Sequence, residues 1–203
     1  MKLIIATGNA GKLREIRAII SSFPELDLDV HSITEMNIPE PDEPHHTYLE
    51  NAQHKAKYYA QHTKVATLSE DAGLRIEALN GFPGVRTKEF VEECGGIQNA
   101  FAKLQAMLKD TDNMSASFIC SAAIYIPLED IWISAEGIDN GRISFPARGS
   151  DCFGFDPIYI PNGYDKTNAE LGVAVKNQIG HRAKAIRGVL QGLKQHLSQQ
   201  GVK

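Results

Sequence analysis

The sequence predicts an α/β fold, because strand-like and helix-like patterns alternate from the first residues onward. Lys2 to Ala6 has the apolar character of a buried strand. It is followed by a loop that contains Gly8 and Gly11 and then by apolar residues at helical spacing. The 203 residues are enough for one domain with a substantial core, or for two lobes that share a cleft.

Hydrophobic periodicity predicts further elements along the chain. Leu26 to Val30 alternates apolar and acidic residues and indicates a second strand. Thr47 is a typical helix cap, and Glu50 completes a capping-box pattern. Ser115 to Ile126 and Ile131 to Glu136 predict two long strands joined as a hairpin, and a final amphipathic helix follows in the last third of the chain.

Composition limits the possible functions. The net charge of −4 argues against general nucleic-acid binding, which usually needs a basic surplus, but it allows a small anionic ligand at a local basic cluster. No apolar run approaches the ~20 residues of a membrane span, and no signal peptide is apparent, so a cytoplasmic protein that binds no membrane is expected. The three cysteines lack metal-ligand spacing and are expected to be reduced, and a catalytic Cys152 is disfavoured.

Two adjacent carboxylates, Glu70 and Asp71, follow the β-branched run from Lys64 to Leu68 and precede Gly73. Acidic side chains at the end of a strand, beside a glycine that allows close approach, suit a metal-assisted reaction. The alternative is an ordinary solvated turn. The other polar clusters of the chain favour the reaction site.

A possible phosphate site lies directly after the first strand. A strand, a glycine-containing loop and a helix direct free backbone N–H groups at an anion, and Lys12 could add a positive charge. The match to a P-loop is poor, because Leu13 follows Lys12 where Ser or Thr is required. The loop alone is therefore a weak signal.

Three other clusters carry chemistry. The segment from Asn37 to His46 is acidic and contains three prolines, so it is either a source of ligands for a hard cation or a solvated loop. Phe153 and Phe155 flank Gly154 and could sandwich a planar base. Cationic residues gather around the start of the final helix, where the helix dipole favours anions. These residues are Lys176, His181 and Arg182.

Acids and cations in one protein suit a polyphosphate with a divalent metal. The acids considered are Glu40, Glu43, Glu70 and Asp71, and the cations are Lys12, Lys55, Lys88, Lys176, His181 and Arg182. The hypothesis that follows is binding of a nucleoside triphosphate with Mg²⁺. The spacings leave open which bond, if any, is cleaved.

Six short motifs in order resemble the inosine triphosphate pyrophosphatase family. They are Ala6-Thr7-Gly8-Asn9 with Lys12, Glu50-Asn51-Ala52 with Lys55-Ala56, Glu70-Asp71-Ala72-Gly73-Leu74, Leu79-Asn80-Gly81-Phe82-Pro83-Gly84, Phe153-Gly154-Phe155-Asp156-Pro157, and Lys176-Asn177 with His181-Arg182. Each motif is weak singly, but together they span nearly the whole chain. The resemblance implies a single domain, residues 1–203, with an elongated two-lobed mixed sheet flanked by helices. It also implies an active cleft between the lobes, a homodimer and Mg²⁺-dependent hydrolysis of ITP, dITP or XTP to the monophosphate and pyrophosphate.

The resemblance also implies a role for each matching residue. Phosphate would be held by Thr7, Gly8, Asn9 and Lys12. Metal would be bound by Glu40, Glu70 and Asp71, and Asp71 could instead be the general base. Lys55 and Lys88 would reach the phosphates or the carboxylates, with Lys12 and Lys55 counted as catalytic. Phe153 would stack on the purine, and its edge would be read by Phe155, Asp156, Lys176, His181 and Arg182. Ala72 and Gly154 are also implied to bind the substrate.

Several positions depart from the family pattern. Gly180 stands where Ser is usual, Asn168 where an aromatic residue is usual, and Val175 where an acid is usual. Pro44-His45-His46 replaces a Glu-Thr-Gly type of turn, and Ser115 stands where a basic residue is common. The acids and phosphate cations are retained, so these changes bear on base selectivity.

Three other functions are compared with this hypothesis. A related pyrophosphatase for another modified nucleotide is favoured by Gly180 and Asn168. A nucleotide-binding sensor that does not turn over is disfavoured by the complete set of acids. A nucleic-acid-binding module is the least favoured, because no helix carries a basic and aromatic stripe.

Overall fold

A mixed sheet of six strands forms the frame of the computed structural model, which describes residues 1–151 and 153–200. The strands are β1 (Lys2–Ile5), β2 (Asp29–Ser32), β3 (Ala66–Ile76), β4 (Ser115–Ile126), β5 (Ile131–Ile143) and β6 (Tyr159–Pro161). Their order in the sheet is β2-β1-β3-β4-β5-β6. β1 pairs in parallel with β2 and β3, whereas β5 and β6 pair antiparallel. The predicted α/β class with a mixed sheet is confirmed.

Six α-helices accompany the sheet in the described residues. They are α1 (Ala10–Ile20), α2 (Tyr48–Thr63), α3 (Thr87–Glu93), α4 (Ile97–Met107), α5 (Asn168–Ile179) and α6 (His181–Gln200). Single 3-10 turns occur at Pro24–Leu26, Ile33–Glu35, Glu77–Leu79, Gly84–Arg86 and Asp156–Ile158. In the described ranges, no helix has both the length and the apolar character needed to cross a membrane.

The chain divides into two compact units. The first unit comprises Met1–Asp71, Cys120–Gly137 and the described residues from Arg182 onward. The second unit comprises Ala72–Ile119 and the described residues of Ile138–His181. Strands β3, β4 and β5 each contribute residues to both units, so one sheet supplies the frame of both.

Each unit has its own apolar core. In the first unit, Tyr59 of α2 packs with Ile4, Ala6 and Ile33. In the second unit, Phe90 and residues of α4 pack against the buried side chains of β3 and β4, including Leu74 and Phe118. The residues that β3 and β4 contribute to the second core lie at alternate positions, Leu74 and Ile76 in β3 and Ala116 and Phe118 in β4, although both strands are buried along most of their length.

Two predicted elements differ from the structure. Leu26 ends a 3-10 turn and Asp27 has a left-handed φ of 44°, so β2 begins only at Asp29, beside Lys2 of β1. The prediction of a strand from Leu26 was therefore wrong in its position. Thr47 caps α2 as predicted, but the Glu50 carboxylate accepts a hydrogen bond from the Thr47 hydroxyl (2.7 Å) rather than completing a capping box.

Other predicted elements agree with the structure. Ser115–Ile126 is strand β4 with the predicted bounds, and β5 extends beyond the predicted Glu136 to Ile143. A complete capping box that was not predicted is present at the start of α5, where Thr167 and Glu170 exchange hydrogen bonds between side chain and backbone.

Helix α6 lies close to β5 because two of its residues lack a side chain. A Cβ atom on Gly188 would lie 2.5 Å from the Ala135 Cβ, and one on Gly192 would lie 2.6 Å from the Ile133 Cγ2. The Ala135 Cβ is fixed to the backbone and cannot rotate away. The spacing between α6 and the sheet therefore depends on Gly188.

We expect Gly188→Val to lower the free energy of unfolding by about 1–3 kcal/mol, because the added methyl groups overpack the contact with Ala135. Urea unfolding followed by far-UV circular dichroism measures the change. The matched control is Gln191→Val on the exposed side of the same helix, where the expected change is within about 0.5 kcal/mol. Equal effects of the two substitutions would contradict the close packing.

Candidate active site

Glu70 and Asp71 lie inside β3 rather than after its end, and both are buried (2% and 7% exposed). The strand continues through them to Ile76, so the alternative of a solvated turn is wrong. Adjacent residues of a strand point to opposite faces of the sheet. The hydrogen bonds and ion pairs described below therefore differ between the two carboxylates, although Lys12 and Lys55 shift the pKa of both.

The Glu70 carboxylate is compensated by basic side chains from α1 and α6. Its Oε1 lies 2.8 Å from the Lys12 Nζ, and its Oε2 lies 3.6 Å from the Arg182 Nε. The Cys120 thiol of β4 donates to Oε2 at 3.3 Å. Burial opposes ionisation, but Arg182, Lys12 and Lys55 outweigh it and hold the pKa of Glu70 well below its usual value. Glu70 is thus a permanent anion.

Arg182 joins a second buried acid to this cluster. Its Nη1 donates to the Glu15 Oε2 of α1 at 2.5 Å, and both side chains are at most 5% exposed. Burial disfavours the guanidinium charge, but Glu70 and Glu15 raise the pKa of Arg182 above its ordinary value. The guanidinium therefore lies among carboxylates of the first unit, and its assignment to the purine edge stays a prediction.

Asp71 has the opposite electrostatic character. Burial raises its pKa to about 6, and the neighbouring charges of Glu43 and Glu70 act in the same direction against the opposing effect of Lys55 and Lys12. The Asn51 amide of α2 donates to the Asp71 Oδ2 at 3.2 Å. Two adjacent carboxylates with pKa values shifted apart are a mark of sites that use acids in different roles.

Lys55 is the cation that α2 brings to this face. Its ammonium contacts the Glu43 carboxylate, and the side chain is buried. Burial disfavours the ammonium, yet Asp71, Glu43 and Glu70 together raise the pKa of Lys55. Lys55 therefore stays charged although it is out of water.

Sequence reasoning did not assign roles to Asn51, Glu15 or Cys120, all of which contact the acids or their partners. Asn51 carries a usable signal, because it lies four residues before Lys55 and therefore on the same face of α2. Glu15 and Cys120 carry no such signal, since they meet Arg182 and Glu70 across long stretches of chain.

The loop before α1 has the geometry of a helix N-terminus. Asn9 is the N-cap, and its side chain accepts a hydrogen bond from the Lys12 N–H at 3.0 Å. The Asn9 N–H donates to the Thr7 hydroxyl at 3.2 Å. A Cβ on Gly8 would meet no atom within 4 Å, so the backbone there is accessible. The predicted phosphate residues are therefore exposed or half-buried around a helix start that favours anions.

In the second unit, Asp156 and Lys176 form a buried ion pair. The Lys176 Nζ lies 2.6 Å from the Asp156 Oδ2, and neither side chain is more than 4% exposed. The Lys176 Nζ also lies 4.5 Å from the centre of the Phe153 ring. Phe155 is buried against Phe101 in the apolar core, while Gly154 is exposed and has a φ of 63°. The structure thus brings Phe153, Asp156 and Lys176 together and places Phe155 in the core.

His181 is stacked on the Phe118 ring of β4, with a centroid distance of 4.6 Å and an interplanar angle of 16°. The histidine is 3% exposed, so the stack fixes the orientation of the imidazole. Gly180, which precedes it, has little space: a Cβ there would lie 2.7 Å from the Lys176 backbone oxygen. The backbone around residue 180 therefore leaves too little space for a side chain.

The remaining predicted site residues lie nearer the surface. Glu40 and Lys88 are exposed and Ala72 is half-buried. Across the described ranges, no three acidic, histidine or cysteine side chains converge into a metal site, so Glu40, Glu70 and Asp71 do not form a ready-made ligand set. Cys152 lies outside the described residues.

Comparison with known proteins identifies close relatives. A family model described as the Ham1 family matches residues 3–192. A dITP/XTP pyrophosphatase of Aquifex aeolicus (strain VF5) is 37% identical over 210 residues, which cover 96% of this chain and 97% of that protein. A dITP/XTP pyrophosphatase of Ruegeria pomeroyi (strain ATCC 700808 / DSM 15171 / DSS-3) is 36% identical over 201 residues, covering 94% of each.

Solved structures share the fold over nearly the whole chain. A HAM1 protein from Coxiella burnetii superposes with a TM-score of 0.85 at 30% identity, covering 96% of this chain and 99% of that one. The Ham1 protein of Staphylococcus aureus superposes with a TM-score of 0.80 at 29% identity, covering 98% of this chain and all of that one (100%).

We expect Asp71→Asn to raise the free energy of unfolding of the chelator-treated protein by about 2–3 kcal/mol at pH 7.5 and to change it little near pH 4. The folded pKa of Asp71 is about 6, above the unfolded value, so the folded protein holds this proton more tightly. The stabilisation from protonation is complete below the unfolded pKa and is lost as the pH rises to about 6.

Urea unfolding at pH 4, 5, 6 and 7.5 measures this difference. The control is Asp110→Asn, because the Asp110 side chain is 86% exposed and should give no such pH dependence. An Asp71→Asn effect that is constant across the range would contradict the raised pKa.

Proposed function

The chain belongs to the Ham1 family, and we propose that it hydrolyses dITP, XTP and ITP to the nucleoside monophosphate and pyrophosphate. The observation that carries the proposal is the pair of buried acids in β3, one neutralised by cations and the other with a pKa near 6. The relatives named dITP/XTP pyrophosphatase supply the substrate class. The rejection of other purines is part of the proposal.

The carboxylates fit a magnesium ion in their chemistry. Mg²⁺ is usually held by one or two carboxylates together with waters and substrate phosphates, so a ready-made cluster of three ligands is not required. Burial and two nearby acids raise the pKa of Asp71 against the opposing effect of Lys55 and Lys12, and a bound cation would lower the cost of its negative charge. When bound, Mg²⁺ would neutralise phosphate oxygens and make the phosphorus more electrophilic.

Among the predicted ligands, Asp71 suits the metal better than Glu70, and Glu40 stays a predicted ligand. The charge of Glu70 is already balanced by Lys12 and Arg182, whose contacts hold those cations in place. We therefore assign Glu70 mainly to positioning Lys12, which lies at the start of α1 beside the proposed phosphate loop. This assignment differs from the prediction, in which Glu70 was a metal ligand.

Asp71 has the properties of either a metal ligand or a general base. A carboxyl with a pKa near 6 is ionised at neutral pH and is basic enough to accept a proton from the attacking water. The neighbouring Asn51 amide fixes one of its oxygens. The two roles are separable, since loss of a ligand raises the Mg²⁺ concentration needed, whereas loss of a base lowers kcat at saturating Mg²⁺.

Phosphate binding is assigned to the loop before α1 and to two lysines. The backbone at Gly8 is open, and the helix N-terminus favours anionic oxygens. Lys12 and Lys55 would neutralise phosphate charge from α1 and α2. Both are already held by carboxylates, so little ordering remains to be done when a substrate binds.

Base binding is assigned to the second unit. Phe153 would stack on the purine, and Lys176 would donate to its 6-keto oxygen. Adenine has an amino donor at that position, so it would leave a buried donor unpaired, at a cost of roughly 1–3 kcal/mol. Guanine shares the keto group, and its rejection depends on the surroundings of its 2-amino group. The homodimer, the cytoplasmic location and the absence of nucleic-acid and membrane partners stay predictions.

The first test is pyrophosphate release from dITP, XTP, ITP, GTP and ATP, each with and without Mg²⁺. We expect Mg²⁺-dependent release from the first three and slow release from GTP and ATP. Faster pyrophosphate release from GTP or ATP than from the first three would contradict the proposed selectivity. Binding without release from any of the five would favour the sensor and overturn the proposed hydrolysis.

In the same assay, Asp71→Asn should lower kcat/KM by at least about 100-fold. A titration with Mg²⁺ then decides between the two roles of Asp71. Asp110→Asn, which changes an exposed acid, is the control and should retain wild-type rates. Wild-type rates in Asp71→Asn would remove Asp71 from the reaction.

We expect Phe153→Ala to weaken substrate binding by roughly 1–3 kcal/mol, because a stacking surface for the base is lost. The Michaelis constant for ITP should rise while kcat changes less. The control is Phe82→Ala, an aromatic residue of the second unit that is 37% exposed and outside the proposed pocket. An unchanged Michaelis constant in Phe153→Ala would contradict the stacking of Phe153 on the base.

A further inference from the structure

Asp156 is the centre of a hydrogen-bond network in the second unit. Its Oδ2 accepts from the Lys176 ammonium at 2.6 Å and from the Phe153 N–H at 3.1 Å. Its Oδ1 accepts from the side-chain amide of Asn168 at 3.1 Å. Asp156 and Asn168 are each 1% exposed, so these contacts are made out of water, where each one matters more.

Two of these donors come from opposite ends of α5, which is not a regular helix. Gly172 has a φ of 82° and a ψ of 167°, so the helix is interrupted between residues 168–171 and residues 173–179. The second part begins with the Val173 N–H donating to the Asp151 carboxylate at 3.2 Å. Asn168 lies before the interruption and Lys176 lies after it. Asp156 therefore connects the two parts of α5.

The contact at Oδ1 has a specific mechanical effect. The terminal torsion of an aspartate side chain is soft, so contacts at one oxygen alone leave the carboxylate plane poorly fixed. Asn168 holds the second oxygen and so fixes the plane in which Oδ2 faces Lys176. The position of the Lys176 ammonium over the Phe153 ring depends in turn on that oxygen.

We infer that Asn168 is a positioning residue of the purine pocket: through Asp156 it sets where the Lys176 ammonium stands against the Phe153 ring. The inference rests on the proposed function, because it takes the purine to bind at Phe153 and Lys176. It adds a residue that departs from the family pattern of an aromatic at this position, and it explains why a buried amide is used there. Asn168 itself need not touch the substrate.

Two ligands separate base binding from phosphate binding. IMP carries the base, whereas inorganic tripolyphosphate with Mg²⁺ carries only the phosphates. In Asn168→Leu, which has a similar volume and no donor, we expect about tenfold weaker binding of IMP by titration calorimetry and unchanged binding of tripolyphosphate. With ITP as substrate, KM should rise by a similar factor and kcat should change by less than about twofold.

A second variant guards against a folding defect. Asn168→Ala removes the donor without adding bulk or a second acid beside Asp156, so it should show the same selective loss of IMP binding. The control is Asn99→Leu in α4, which removes an amide that donates to the Cys94 carbonyl at 2.9 Å elsewhere in the second unit. It should leave both affinities unchanged.

The outcomes separate the inference from the function it rests on. Selective loss of IMP binding in both Asn168 variants supports the positioning role. Unchanged IMP binding, or an equal loss of IMP and tripolyphosphate binding, overturns it. Failure of the wild-type protein to bind IMP would instead overturn the purine pocket, whatever the variants do.

Discussion

Charge compensation inside β3 is the constraint on which the first unit depends. Burying a carboxylate such as Glu70 costs several kcal/mol unless cations and hydrogen bonds meet it. Here Lys12 comes from α1 and Arg182 from α6, and Arg182 is in turn balanced by Glu15. The compensation ties two helices that are far apart in sequence to the centre of the sheet. Removing any one member would leave a buried charge without its partner, which is costlier than the pair itself is worth.

The second unit also buries a carboxylate, that of Asp156, and a different set of donors stabilises it. Asp156 is met by one ammonium, one backbone N–H and one neutral amide, so only part of its compensation is ionic. Neutral donors orient an anion without adding charge. That suits a pocket proposed to discriminate uncharged parts of a ligand, whereas the cluster around Glu70 suits the highly charged phosphates. The two buried acids thus differ in the kind of ligand that their surroundings can serve.

The sequence predicts what depends on local pattern and misses what depends on distant partners. Strand β4 and the Thr47 cap follow from periodicity and capping chemistry, and both are present. The local sequence around Glu70 and Asp71 does not separate a reaction site from a solvated turn, because the cations that compensate them come from residues 12, 55 and 182. The predicted start of β2 at Leu26 was wrong, because Asp27 adopts a left-handed conformation that hydrophobic periodicity does not reveal. Family motifs located most candidate residues, but not Glu15 or Cys120, whose contacts are made only by tertiary packing.

The pleat of β3 explains how one dipeptide holds two different acids. Glu70 faces the cations of α1 and α6, whereas Asp71 faces α2, where Lys55 is shared with Glu43. Burial raises the pKa of both acids, but Arg182, Lys12 and Lys55 outweigh it at Glu70. At Asp71 the cations Lys55 and Lys12 do not outweigh burial, so only the pKa of Asp71 lies above its ordinary value. A desolvated carboxylate of this kind costs stability in the isolated protein. In the proposed function a bound cation would offset that cost, so the buried charge of Asp71 would favour cation binding.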